Sequence, residues 1–268
     1  MSAAKQIIFF KKNKMDYSYP AVSLTASQGS TYASYVQRRS NNLGWMTTGS
    51  VDADNTTLTC DFISAVQLDN MLLVGHNFKN FTIKYWNGSS YVDFSLAINV
   101  SNSTDTTTRF TFTSVSTSKI QLTVTGTQVA NSDKKLNQWI ATELIGQLAG
   151  WPMITKPTFN LNKRIDKMLS GKTFVGINTG GFECTLTVKV LKSDADLTIV
   201  ESLFNTGAGF LVWLSGGSTT QFSTQRFGYR LQDIFLMQCS NNYIPEWNQG
   251  LYQSGIGNLT LTLVEVTT

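Results

Sequence analysis

Strict alternation of apolar and polar residues in short segments is the feature that most constrains what this chain can fold into. Leu58, Cys60 and Phe62 alternate with Thr59 and Asp61, and Phe81, Ile83 and Tyr85 alternate with Thr82 and Lys84. Val92, Phe94, Leu96 and Ile98 follow, then Phe110 and Phe112, then Ile120, Leu122 and Val124. Period two sends successive side chains to opposite faces of a strand, so each segment lays an apolar face on a shared core and a hydroxylated face in water. Only 14% of residues are charged, which leaves Thr, Ser and Asn to cover the outward faces and marks a β-rich chain. Asn87-Gly88 supplies the positive φ angles of a tight hairpin between two of these strands. Asn99–Thr108, with no apolar residue after Val100, reads as a mobile surface loop. Short strands at this spacing predict a β-sandwich or jelly roll.

The texture changes between about 130 and 158. Leu136, Ile140 and Leu144 fall at helical spacing, while Trp139, Ala141 and the β-branched Ile140 and Thr142 fit a strand equally well. Gly150-Trp151-Pro152 and Lys156-Pro157 break either element, which puts a domain boundary near 150 and divides the chain into 1–150 and 151–268. The second part carries an alternating strand over 182–191 and then one helix, Asp194 to about Phe204. Ser193 can cap that helix, Asp194 and Asp196 suit the positive end of its dipole, and Leu197, Val200 and Leu203 or Phe204 form its buried stripe. "GFLVWL", "RFGYRLQDIFLMQ" and "GNLTLTLVEV" read as further strands, giving a β-barrel or sandwich with one packed helix.

Several chemistries are excluded. A net charge of +4 is too small to imply nucleic-acid recognition, and the Lys11, Lys12 and Lys14 group reads as a solvated terminal arm. The apolar stretch Ile7–Phe10 is too short for a signal-peptide core, and no segment is apolar for long enough to insert in a membrane, so a cytoplasmic site of synthesis is expected. Cys60, Cys184 and Cys239 are too scattered for a zinc ribbon and read as free thiols. His76 is the single histidine, so a His-rich metal site is ruled out, and a general base would need partners nothing supplies. A corner between two strands is its expected role. Asp52 and Asp54 read as a turn supported by their own side chains, with a calcium site in that loop as the alternative. "NTGGFEC" and "LSGGSTT" lack the Lys and helix of a phosphate cradle and read as hairpin or loop glycines. No catalytic residue and no cofactor are expected.

Aromatic residues in loop-like sequence are the functional candidates. Tyr32, Tyr35 and Trp45 accompany Arg38 and Arg39, and flat aromatic faces beside planar donors suit sugar recognition. The competing assignment makes Trp45 a core residue and leaves the arginines to solvent or a neighbouring subunit. Trp86 and Tyr91, flanking the hairpin turn, form a second candidate pair. Arg226, Arg230, Asp233, Trp247 and Tyr252 are candidates for a subunit interface.

The order of "TTLTCDF", "MLLVGHNFKNFTIKYWNGSSYVDF" and "FTFTSVSTSKIQLTVTGT", after a Tyr/Ser-rich opening and Trp45, resembles the discoidin-like, or galactose-binding-like, jelly roll over roughly residues 20–145. The order of the strand over 182–191, the helix, "FLVWLSGG", "RFGYRLQDIFL" and "LTLTLVEV" resembles the small β-barrels of long-tailed bacteriophage tail-tube, distal-tail and baseplate-hub proteins. That resemblance implies a virion structural protein that forms a ring at or near the tail tip, joins tube to tip or fibres, and has itself and other tail proteins as partners. The alternative is a carbohydrate-binding host-adhesion module displayed on the virion, with a surface glycan as partner.

Overall fold

The computed structural model describes residues 7–17, 22–38, 43–49, 52, 54–148, 153–167, 173–188, 194–206, 209–214, 234–240, 246–247 and 257–266. The described chain is mainly β and its described residues divide into two compact units, one over 12–144 and the other over 7–11, 145–214 and 234–266. The first strand, β1 (Ile8–Phe10), pairs with a strand near residue 212 and so belongs with the second unit, not with the 1–150 domain in which its sequence position placed it. The change of unit at 144/145 falls ahead of the Gly150-Trp151-Pro152 break, whose residues lie outside those described.

In the unit over 12–144 the strands are β2 (Ser23–Ala26), β3 (Trp45–Met46), β4 (Thr56–His76), β5 (Phe78–Trp86), β6 (Tyr91–Val100), β7 (Thr107–Thr127) and β8 (Lys135–Thr142). Two of them, β4 and β7, are 21 residues long, where the sequence pattern showed separate short strands. They pair antiparallel along nearly their whole length and bend together. Before the bend, Leu58–Asp61 of β4 takes β2 on its free side, and Ile120–Val124 of β7 takes β5, which takes β6. Beyond it, Asn70–His76 pairs with β8, and β8 with β3.

The bend folds one half of the hairpin over the other, and ring contacts show the two layers meeting. Phe112 of β7 lies 4.1 Å from Phe94 of β6, Phe110 lies 6.0 Å from Phe81 of β5, and Trp45 of β3 lies 6.3 Å from Phe78 of β5. This is a sandwich whose layers share two continuous strands, with Trp45, Leu58, Cys60, Met71, Leu73, Ile83, Leu122 and Trp139 buried between them.

At the corner the register slips between Asp61 and Val66, and Ile63 adopts a left-handed φ of 63° while 70% exposed. Asp61 holds the turn: its Oδ1 accepts from the Ile63 amide at 2.9 Å, and its Oδ2 meets Lys119 Nζ at 2.8 Å on the opposite strand. On β7, Thr117 Oγ1 donates to Trp86 O, or to Lys119 O, both at 2.8 Å.

Residues 135–142 are strand, not helix. Asn13 Oδ1 accepts from Ala141 N and Asn13 Nδ2 donates to Trp139 O, while Lys14 N donates to Ala141 O, so the segment before β2 runs along β8 and helps to bury it. Leu136 through Thr142 is buried without alternation as a result, which is why the periodicity was ambiguous. Lys14 is likewise no solvated arm, since its Nζ lies 3.4 Å from Glu143. The loop expected over Asn99–Thr108 shrinks to 101–106 and is pinned, with Ser103 N donating to Lys79 O, Asn102 N to Asn80 Oδ1 and His76 N to Thr106 O.

The second unit continues with β9 (Leu144–Gln147), β10 (Met153–Lys167), β11 (Thr173–Val188), helix α1 (Asp194–Asn205), β12 (Phe210–Trp213), β13 (Ile234–Cys239), β14 (Glu246–Trp247) and β15 (Gly257–Glu265). The sheet runs in the order β10-β11-β15-β13-β12-β1-β9, with β14 on β15. The helix falls where its sequence stripe put it: Val200 and Leu203 are buried, and Ile199 sits where a Cβ on Gly146 of β9 would collide with it. Ser193, the expected cap, lies outside the described residues. Two sequence breaks turn out to be irregularities inside strands. Lys156-Pro157 occupies a register slip within β10, and Gly180-Gly181 of "NTGGFEC" occupies one within β11 and is not a hairpin turn.

Candidate functional site

His76 is structural. Its imidazole is buried against Phe78 and Phe81, at ring distances of 5.1 and 5.5 Å. Nδ1 accepts from the Phe78 amide at 3.2 Å, which places the proton on Nε2, 2.9 Å from Thr108 Oγ1. Burial lowers its pKa to about 4 against the opposing field of Asp105, so the ring is neutral at pH 7. Gly75 precedes it at φ 67°, and a Cβ there would lie 2.7 Å from Asn137 Nδ2, so the corner needs glycine for both conformation and space.

Asp52 Oδ1 and the Asp54 carbonyl are both engaged by protein donors. Asp52 Oδ1 accepts from Thr127 Oγ1 at 2.6 Å and from Thr127 N at 3.2 Å, and the first bond holds its carboxyl below the usual value. The fully buried Lys134 donates from Nζ to Asp54 O at 2.7 Å and to Thr56 Oγ1 at 3.0 Å, so an ammonium stands where the calcium alternative would have put a cation. Among the described residues no group of three or more His, Cys, Asp or Glu side chains could hold a metal ion, and no helix is long and apolar enough to cross a membrane.

The candidate aromatics separate into core and surface. Trp45 is fully buried, its Nε1 donates to Gln28 O at 3.0 Å, and it has no face left for a ligand. Its neighbours Tyr32 and Tyr35 lie on a 3-10 helix, Ser30–Gln37. With three residues per turn, positions i and i+3 eclipse. One column of that helix, Ala33 and Val36, is therefore buried, and the next, Tyr32, Tyr35 and then Arg38 at the C-cap, is brought together on the outside.

The rings of Tyr32 and Tyr35 are 5.7 Å apart and tilted. The Arg38 guanidinium carbon lies 5.2 Å from the Tyr35 ring centre and 5.6 Å from that of Tyr17, a residue the sequence reading did not single out. Tyr17 belongs to the Tyr/Ser-rich opening, and its exposure of 67% is the signal that marks it. Three tyrosines, of which Tyr17 and Tyr32 are exposed and Tyr35 half-buried, thus form with the exposed Arg38 an aromatic and cationic surface. Arg39 lies outside the described residues.

Trp86 and Tyr91 form a second group, their rings 5.2 Å apart and edge-on, both half-buried. The turn between them is a hairpin at the expected place, but it spans Asn87–Ser90 and only Gly88 has a positive φ, 104°; Asn87 instead holds it with its side chain, Oδ1 accepting from Ser89 N and Ser90 N. Of the interface candidates, Arg226, Arg230, Asp233 and Tyr252 lie outside the described residues, and Trp247 stands in β14 opposite Gly257.

No family model matches the chain, and no curated protein matches it. Among solved structures it is similar to chitosan-binding module 1 of a chitosanase/glucanase from Paenibacillus sp. IK-5, at 15% identity and a TM-score of 0.41, over 48% of this chain and 98% of that one. It is similar also to the family 32 carbohydrate-binding module of NanJ from C. perfringens in complex with galactose, at 15% identity and a TM-score of 0.38, over 51% of this chain and 99% of that one. A third likeness is to a Ruminococcus gnavus GH29 fucosidase in complex with fucose, at 12% identity and a TM-score of 0.40, over 50% of this chain and 27% of that one.

Proposed function

We propose that this chain is a non-catalytic glycan-binding adhesion protein, in which the unit over 12–144 carries the recognition surface and the other unit is its mount. The observation that carries this reading is the outward column Tyr32, Tyr35 and Arg38 with Tyr17 beside it. Large exposed rings are costly to leave in water, and the electron-rich face of a tyrosine attracts the polarised C–H groups on the flat side of a pyranose. A guanidinium alongside supplies planar N–H donors for sugar oxygens. Electrophoresis of the full chain through gels containing soluble polysaccharides tests the reading. Retardation in at least one polysaccharide, relieved in a Tyr32→Ala/Tyr35→Ala double variant that melts like the parent, supports it; unchanged mobility in every gel overturns it.

The setting that fits such a module is the tail of a bacteriophage virion assembled in the bacterial cytoplasm, with the second unit forming a ring at the distal tail or tail tip. The observation favouring this is the β10–β11 hairpin. Glu183–Val188 of β11 pair with β15, but Thr173 to Phe182 pair, among the described residues, with β10 alone, and the outer edge of β10 has no described partner. An open edge of this length suits strand pairing between neighbouring subunits. Light scattering and negative-stain images of the purified protein test it: rings with a central hole support the tail role, and a 29.7 kDa monomer that also fails to join rings of co-expressed tail proteins removes it.

A further inference from the structure

We infer that the surface formed by Tyr17, Tyr32, Tyr35 and Arg38 recognises an acidic saccharide, one whose sugar ring carries a carboxylate; this rests on the glycan-binding reading above and names its ligand class. Arg38 is exposed, and among the described residues no carboxylate pairs with it. Lys14, Lys84 and Lys119, by contrast, each meet an acid: Glu143, Asp93 and Asp61. Arg38 is instead placed against two tyrosine rings, at 5.2 and 5.6 Å.

Rings beside a guanidinium carbon at these distances attract its charge but offer no conventional acceptor oxygen, and among the described residues no side-chain acceptor pairs with its N–H groups. A fork of coplanar donors matches the two oxygens of a carboxylate, and a charge-assisted pair of parallel hydrogen bonds is roughly twice as strong as its neutral counterpart. Tyr32 and Tyr35, fixed in the same column by the three-residue turn, supply aromatic surface next to that fork for the ring bearing the acid. A neutral sugar would use the rings but leave the charge of Arg38 uncompensated. A lysine at this position would supply the charge without the fork.

The test uses the full chain and calorimetric titration with tri-galacturonic acid and with sialyllactose, each beside its carboxyl methyl ester, and with neutral galactotriose. The esters keep the sugar ring and remove only the charge. The inference predicts that one of the acids binds about tenfold or more tightly than its ester, and that Arg38→Gln erases this ratio while leaving the melting temperature unchanged. Arg38→Lys should restore part of the ratio, because it returns the charge without the bidentate geometry. The acid that binds tells a uronate polymer from a sialylated glycan. Equal binding of acid and ester, or an acid preference that survives Arg38→Gln, overturns the inference and leaves the glycan-binding reading standing. Binding of galactotriose alone does the same. No binding to any of the five, together with unchanged mobility in every polysaccharide gel, removes both.

Discussion

At the scale of single residues, the chain uses its chemically versatile side chains to close the sandwich. His76 is a neutral strut, and its titration makes a prediction of definite sign. Its pKa is about 4 in the fold against 6.5 when exposed, so the unfolded chain takes up the proton first as pH falls. The stability His76 contributes is therefore complete above pH 6.5 and is lost between 6.5 and 4, a loss of about 3 kcal/mol at most. An NMR titration of the imidazole C2–H should give a midpoint near 4, and one near 6.5 would show that the ring is open to water. Trp45 behaves alike: Trp45→Ala should cost about 3–5 kcal/mol of stability. Loss of glycan binding in that variant would report a damaged core, whereas Tyr32→Ala or Tyr35→Ala probes the surface itself. Urea unfolding separates the two, since the tyrosine variants should keep the parent midpoint.

At the scale of elements, the bend shared by β4 and β7 is what makes a sandwich from one long hairpin. It also carries the clearest local strain, since Ile63 is β-branched, exposed and at φ 63°. A left-handed conformation costs an ordinary residue roughly 1–2 kcal/mol, and much less for asparagine. Ile63→Asn should therefore stabilise the protein by about 1 kcal/mol, read as a higher urea midpoint at unchanged slope. A lower midpoint would mean that the isoleucine packs in a way its exposure does not suggest. This bend was not legible in the sequence. Alternation located Leu58–Phe62, Phe81–Tyr85 and Ile120–Val124 correctly, and turn chemistry located Asn87-Gly88, because both are local signals. Continuity through 62–66 depends on a partner strand about fifty residues away, and "DFISAVQ" contains no glycine or proline to announce it. The column Tyr32, Tyr35 and Arg38 was half legible: the residue types were visible, but the three-residue turn that aligns them and the approach of Tyr17 are products of the fold.

At the scale of the whole molecule, β1 joins the second unit, while the chain from 12 to 144 forms a unit of its own between β1 and β9. The unit over 12–144 owns a core of its own that includes Trp45 and Trp139. Expressed alone, residues 12–144 should therefore unfold in one cooperative transition with a β-type circular dichroism spectrum, and a fragment without a transition would contradict this independence. The proposed division of labour matches this split: the surface of Tyr17, Tyr32, Tyr35 and Arg38 belongs to the unit over 12–144, and the sheet whose β10 edge has no described partner belongs to the other. The measurement that tests this account most directly is a glycan array probed with the labelled full chain and with the Tyr32→Ala/Tyr35→Ala variant. The account predicts signals confined to a related set of glycans that fall about tenfold or more in the variant; an array blank for the parent, or signals equal for both proteins, would contradict it.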